Sequence, residues 1–194
     1  MELLKKIRYK IVFLLYQLPR IIKYRLLSNC KTTGGRPVII QPVQFCGKGE
    51  ILFGENVHIG CNPSPFLHNG YSYIEARNSF SKIVISNNVW INNNATLISE
   101  GDGIIIGENC IFGTNLEIYD TDFHDLNPLF RMTGAPKTKK VIIGDNVFAG
   151  SNVKILKGVS IGNNSIIGNG TIITKSIPEN VIVCGSPSRI IKKI

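Results

Sequence analysis

The chain has 194 residues, 43% of them hydrophobic and 18% charged, with a formal net charge of +9. This is enough apolar material for one globular domain with a small appendage, and too much for a disordered chain. The charge sits at the ends: residues 1–31 carry +7, residues 189–194 carry +3, and the 157 residues between hold 11 bases and 12 acids. A nucleic-acid-binding domain shows a basic face running through its fold, so the near-neutral body argues against that class.

Residues 1–27 place Leu3, Leu4, Ile7, Ile11, Leu14, Leu15 and Leu18 at the 3–4 spacing of one helix face. Pro19 is expected to break or kink this helix, with a second short helix over 20–27. Lys5, Lys6, Arg8 and Lys10 gather near its start. No apolar run reaches the roughly 18–20 residues that span a bilayer. No small-residue cleavage site of the secretory kind follows residue 27. Residues 1–30 are therefore read as an amphipathic helical segment. It either caps the body that follows or lies in the interface of an anionic membrane.

Cys30, Cys46, Cys61, Cys110 and Cys184 are an odd set without a C-x-x-C pair. Reduced, mostly buried thiols of a cytoplasmic protein fit better than a disulfide framework.

From residue 141 the chain reads VIIGDN VFAGSN VKILKG VSIGNN SIIGNG TIITKS, six hexads without a slip. The first slot is Val141, Val147, Val153, Val159, Ser165 and Thr171; the third is Ile143, Ala149, Ile155, Ile161, Ile167 and Ile173. Positions two apart share one face of an extended chain. Slots four to six carry Gly and Asn, which tolerate the left-handed backbone of a tight bend. Each hexad is thus a short strand and a corner, three hexads close a triangular coil of 18 residues, and coils stack at about 4.8 Å. Interrupted hexads occur upstream over 51–62, 83–100 and 104–121. The expected fold is an all-β parallel helix of about five coils over 31–180, with surface loops at 61–82 and 120–140. A terminal strand and basic tail follow over 181–194. Loops that interrupt a solenoid are favoured binding sites.

This repeat resembles that of the hexapeptide acyltransferases, and the resemblance implies a left-handed parallel β-helix. Handedness comes from the resemblance alone, because parallel crossovers are usually right-handed. The tail resembles the end of the galactoside, maltose and polysaccharide O-acetyltransferases: Thr174-Lys175-Ser176-Ile177-Pro178, with Ser where Asp is usual, then Gly185-Ser186-Pro187-Ser188-Arg189. Those enzymes place a catalytic His twenty residues before the Gly of the next I-G-x-N hexad, and His124 stands twenty before Gly144.

What the resemblance implies is an acetyl-CoA-dependent O-acetyltransferase acting on a saccharide of a surface polysaccharide, O-antigen or lipid-linked precursor. His124 is the implied general base, and Asn94 lies near the acceptor. Apart from the resemblance, Asp120, Asp122 and Asp125 flank His124: either one of them, Asp122 being noted, orients the imidazole, or they simply solvate the loop. The donor would contact Ser151, Asn169, Thr174, Lys175, Arg189 and Lys192, the basic ones suiting CoA phosphates. Lys137, Lys139 and Lys140 form a further short basic run. The implied assembly is a homotrimer with active sites between adjacent coils, in the cytoplasm and peripheral on the membrane if residues 1–27 bind lipid.

Three histidines raise a zinc reading, since the related gamma-class carbonic anhydrases use three. His58, His68 and His124 lack the close H-x-x-x-x-H pair of those ligands, so no metal is expected, and His58 and His68 are read as surface residues. N-acetylation of an amino sugar, antibiotic acetylation and a non-catalytic trimeric scaffold stay open beside the leading reading.

Overall fold

The computed structural model describes residues 2–194; the side chains of Leu3, Lys5, Lys6 and Tyr9 lie outside the description, as does Met1. The chain opens with a continuous helical run: α1 (Glu2–Val12), a π-type turn (Phe13–Gln17) and α2 (Leu18–Leu27). The sequence puts the interruption at Pro19, but it lies one turn earlier. Proline offers no N–H and its ring crowds the carbonyl four residues back. The widened turn absorbs this, with the Leu18 N–H bonded to the Phe13 carbonyl, and Pro19 sits in the first turn of α2.

Three parallel sheets then wind around one core. The first holds Thr32–Gly34, Glu50–Phe53, Lys82–Ile85, Ile104–Ile106, Val141–Ile143 and Ser160–Ile161. The second holds Val38–Ile39, His58–Ile59, Trp90–Ile91, Ile111–Phe112, Phe148–Ala149, Ile166–Ile167 and Val181–Cys184. The third holds Val43–Gly47, Ser72–Ala76, Thr96–Ser99, Glu117–Tyr119, Lys154–Ile155 and Ile172–Ile173. Arg189–Lys193 folds back antiparallel on Val181–Cys184 and closes the second sheet. The hexads count about five coils; the structure adds a coil over 32–47, which packs like the others without their Gly-Asn corners.

Every first- and third-slot residue of the six hexads is buried, Ser165 and Thr171 included. The sixth slot adopts the left-handed backbone at Asn146, Asn152, Gly158, Asn164 and Gly170. The asparagines also stack. Between the first and second sheets, here the first corner, Asn56 donates to Asn88 (3.0 Å) and Asn88 to Asn109 (3.2 Å), and higher up Asn146 donates to Asn164 and Asn164 to Asn180 (2.9 Å each). Each such bond adds order-of-magnitude 1 kcal/mol.

Residues 17–30 cover the lowest coil. Gln17, 3% exposed, donates to the Ile40 and Leu67 carbonyls (2.7 and 3.3 Å), and Arg20 donates to the Leu67 carbonyl (2.8 Å) and to that of Gly70. Tyr24 stacks on Tyr71 with ring centroids 4.3 Å apart.

Cys110 fills a first slot of the fourth coil and is fully buried. Burial pushes its thiol up to about 11 from an ordinary value near 9. The folded state therefore holds this proton more tightly than the unfolded chain. The resulting stability is complete below pH 9 and is lost as pH rises through about 11. Urea unfolding of wild type and Cys110→Val should diverge over that interval, the wild type losing about 2–3 kcal/mol more. Parallel pH profiles for the two proteins would contradict this.

Candidate active site

The loop over 120–140 leaves at the third corner, between the third and first sheets, where the next coil turns in four residues. Asp120 anchors it. This carboxylate is fully buried and accepts from the Ser99 hydroxyl (2.7 Å) and from the N–H groups of Glu100 (2.7 Å), Gly103 (2.8 Å) and Gly101 (3.3 Å). The loop ends zip together: Thr121 bridges Thr138, the Asp122 N–H donates to the Lys137 carbonyl (3.1 Å), and the Lys139 N–H donates to the Asp120 carbonyl (2.8 Å). Gly101 must be glycine, because a Cβ there would lie 2.2 Å from the Thr138 side chain.

Phe123 adopts a left-handed backbone (φ 63°), a strained state for an aromatic residue. Its surroundings hold it there. Its N–H donates to the Thr121 hydroxyl (3.0 Å), its ring meets Tyr119 edge-on with centroids 5.2 Å apart, and the Arg77 guanidinium lies 5.4 Å from its centre. Arg77 is itself fixed by two hydrogen bonds to Glu75 (3.1 Å each) and an ion pair with Glu100 (3.3 Å). His124 follows directly. Its imidazole is exposed and makes no hydrogen bond among the described residues.

None of the three neighbouring aspartates orients that ring. Asp120 is the anchor. Asp125 accepts the Asn127 N–H (2.8 Å) and shapes the loop. Asp122 turns to Lys157, whose Nζ lies 3.2 Å from Oδ2; the angle falls short of a hydrogen bond, so this buried oxygen faces a charge without a true donor. The orienting role expected of Asp122 therefore has no contact behind it here. Lys139, Lys140, Thr174 and Lys175 are exposed at or beside the same corner.

Asn94, Ser151 and Asn169 lie at the second corner, between the second and third sheets. Asn94 donates to Asn115 and Asn115 to Asn152 (2.8 Å each), and the Ser151 N–H donates to Asn169 (2.8 Å). The loop expected over 61–82 ends earlier, because Ser72–Ala76 pairs into the third sheet; residues 61–71 fold over this corner, tied to the buried amide of Asn93 through the Cys61 and Pro65 carbonyls (3.0 and 2.8 Å). Six residues of extended chain, about 20 Å, separate Asn115 from Thr121. One copy therefore does not bring His124 together with Asn94 and Ser151. Arg189 and Lys192 are exposed on the terminal strand.

His58 stacks on Trp90 (3.8 Å between centroids, 5° between planes) and bonds to Asn56 through Nε2 (2.8 Å), while His68 is exposed in the 61–71 loop. Among the described residues no three His, Cys, Asp or Glu side chains gather as metal ligands.

Residues 140–175 match the family model of the bacterial transferase hexapeptide, six repeats. The chain is 43% identical over 169 residues to a galactoside O-acetyltransferase of Lactococcus lactis, covering 87% of this chain and 66% of that one. It thus spans just under two thirds of that relative's length. A maltose O-acetyltransferase structure from Clostridium difficile superposes with a TM-score of 0.56 at 26% identity, covering 88% of this chain and 72% of the other. This chain carries the hexapeptide repeat of the bacterial transferases. The coil is accordingly the left-handed parallel β-helix of that family. A galactoside acetyltransferase structure in complex with coenzyme A superposes with a TM-score of 0.55 at 29% identity, covering 84% of this chain and 64% of that one.

Sequence reasoning on this hexapeptide-repeat chain missed Arg77 and Phe123. Neither belongs to a motif, and a left-handed phenylalanine has no sequence signal. Asp120 had a faint one, since it falls in the fifth slot of LEIYDT, where Ser99 of ATLISE is also buried.

Proposed function

We propose that the protein transfers an acetyl group from acetyl-CoA to a hydroxyl of a saccharide, with His124 as general base. The observation that carries this reading is the exposed, unpartnered imidazole held by a strained and clamped Phe123 beside a row of cations. The acceptor hydroxyl gives its proton to His124 as its oxygen attacks the thioester carbon. The tetrahedral intermediate then collapses, the carbon–sulfur bond breaks, and the CoA sulfur takes the proton back from His124. Backbone N–H groups stabilise the oxyanion. Lys139, Lys140 and Lys175, with Arg189 and Lys192, suit the phosphates of the donor.

The separation of the two corners is what supports a trimeric site. Two outer faces carry apolar rows: Trp90, Ile111 and Phe148 on the second sheet, and Val84, Ile105 and Ile142 on the first. The third sheet instead carries polar groups such as the Glu117–Lys154 ion pair. Packing the first sheet of one copy on the second sheet of the next turns the first corner inward. The third corner of one copy then meets the second corner of its neighbour. His124 is thereby joined to Asn94, Ser151 and Asn169 of another copy. The reaction belongs in the cytoplasm, at the inner face of the cytoplasmic membrane.

A screen of free sugars, amino sugars, nucleotide sugars and lipid-linked glycans with acetyl-CoA, followed by thiol release, tests the activity. Light scattering should give roughly three times the 21.4 kDa chain mass. Thiol release with a hydroxyl acceptor is the expected result, and a screen silent across all classes would leave a binding or scaffold protein instead.

A further inference from the structure

The run from Glu2 to Leu27 carries two apolar faces, and only one of them is used. Phe13, Gln17, Ile21 and Tyr24 point to the body, against Ile40, Leu67, Phe45 and Tyr71. A second stripe points away: Leu4, Ile7, Ile11, Leu14, Leu15 and Ile22 are each 45–71% exposed. They follow the 3–4 spacing of a helix side, and the run is about 39 Å long. Covering the first coil therefore does not consume the segment's apolar surface.

Charge selects what covers this second stripe. Arg8, Lys10, Lys23, Arg25 and Lys31 are exposed along the same segment, and residues 1–31 hold eight bases against Glu2 alone. A second copy docked on the stripe would set two such clusters against each other. An anionic surface neutralises them, and a bilayer also accepts apolar side chains to a depth of about 5–10 Å. No helix of the described residues is long and apolar enough to cross a membrane. We propose that the outward face of residues 4–22 lies in the interface of an anionic phospholipid bilayer while the opposite face stays docked on the first coil. The β-helix is then mounted at the membrane by its amino-terminal end. Access to lipid-linked acceptors follows, an extension that rests on the transfer reading above.

The test is co-sedimentation of the full chain with vesicles of phosphatidylcholine alone or of phosphatidylcholine with phosphatidylglycerol. Binding should be at least tenfold stronger to the anionic vesicles and should weaken with salt. The exposed-face variant Ile7→Glu/Ile11→Glu/Leu14→Glu should lose at least tenfold of it, with unchanged molecular mass and unchanged thiol release on a soluble acceptor. His124→Ala should bind vesicles like wild type, which separates this inference from the reaction. Equal binding to both vesicle types, or undiminished binding of the triple variant, would overturn it. So would a triple variant that loses only self-association, because a second copy would then be the occupant.

Discussion

Replacing His124 with alanine should lower acetyl transfer by about 10²–10⁴-fold, the range general-base catalysis contributes, while leaving CoA binding intact. The structure separates these two properties. The imidazole is exposed and makes no hydrogen bond or ion pair among the described residues, so its removal breaks none. The loop stays fixed from behind by Asp120, by the Thr121–Thr138 bridge and by the clamped Phe123. The variant should therefore unfold at the same urea concentration as wild type. The cations suited to the donor stand at the far end of the same loop (Lys139, Lys140) and on later segments (Lys175, Arg189, Lys192), and the substitution leaves them in place. Steady-state thiol release and equilibrium CoA binding measured on one preparation decide the matter. Unchanged turnover would remove His124 from the reaction.

The second large effect concerns stability. Asp120→Ala should cost about 3 kcal/mol or more, because it strands several buried donors, each worth about 1–3 kcal/mol when left unsatisfied. The Ser99 hydroxyl and the N–H groups of Glu100 and Gly103 all point at this carboxylate with distances of 2.7–2.8 Å. Among the described residues no other acceptor serves these three groups. Asp120→Asn keeps the shape but turns an amide NH2 toward some of those donors, so it should recover only part of the loss. Urea unfolding reads the effect directly. Because Asp120 directly follows the strand Glu117–Tyr119 and leads to Phe123 and His124, activity should fall in the surviving folded fraction of either variant. Wild-type stability in Asp120→Ala would show that water replaces the carboxylate at no cost.

Legibility in the sequence follows how local each feature is. The hexads over 141–176 were readable because burial, corner and strand repeat every six residues, and all twelve inward slots are buried as the pattern requires. The first coil was not, because Thr32–Gly34 and Val43–Gly47 obtain their place from the coil above and from the helix below rather than from their own pattern. His124 could be singled out by its distance from Gly144 along the chain. The device that presents it could not. Arg77 reaches Phe123 from two coils below, across 46 positions of sequence. Asn94 shows the opposite case: the resemblance singled it out, but its corner is not that of His124, and only the winding of the chain reveals this.

Stacked coils also measure length. Ile118 sits under Ile155, and Ile155 under Ile173, so Asp120, Lys157 and Lys175 occupy successive levels of one edge. Each level rises about 4.8 Å, which sets the height of Lys175 over the base of the His124 loop at about 10 Å. This distance comes in whole steps. Adding or deleting 18 residues would move the upper cations by one step without rotating them. A single-residue change would instead turn every later side chain inside out. The coil thus acts as a ruler with fixed graduations, on which Lys175 above and the base of the His124 loop below are held a whole number of steps apart.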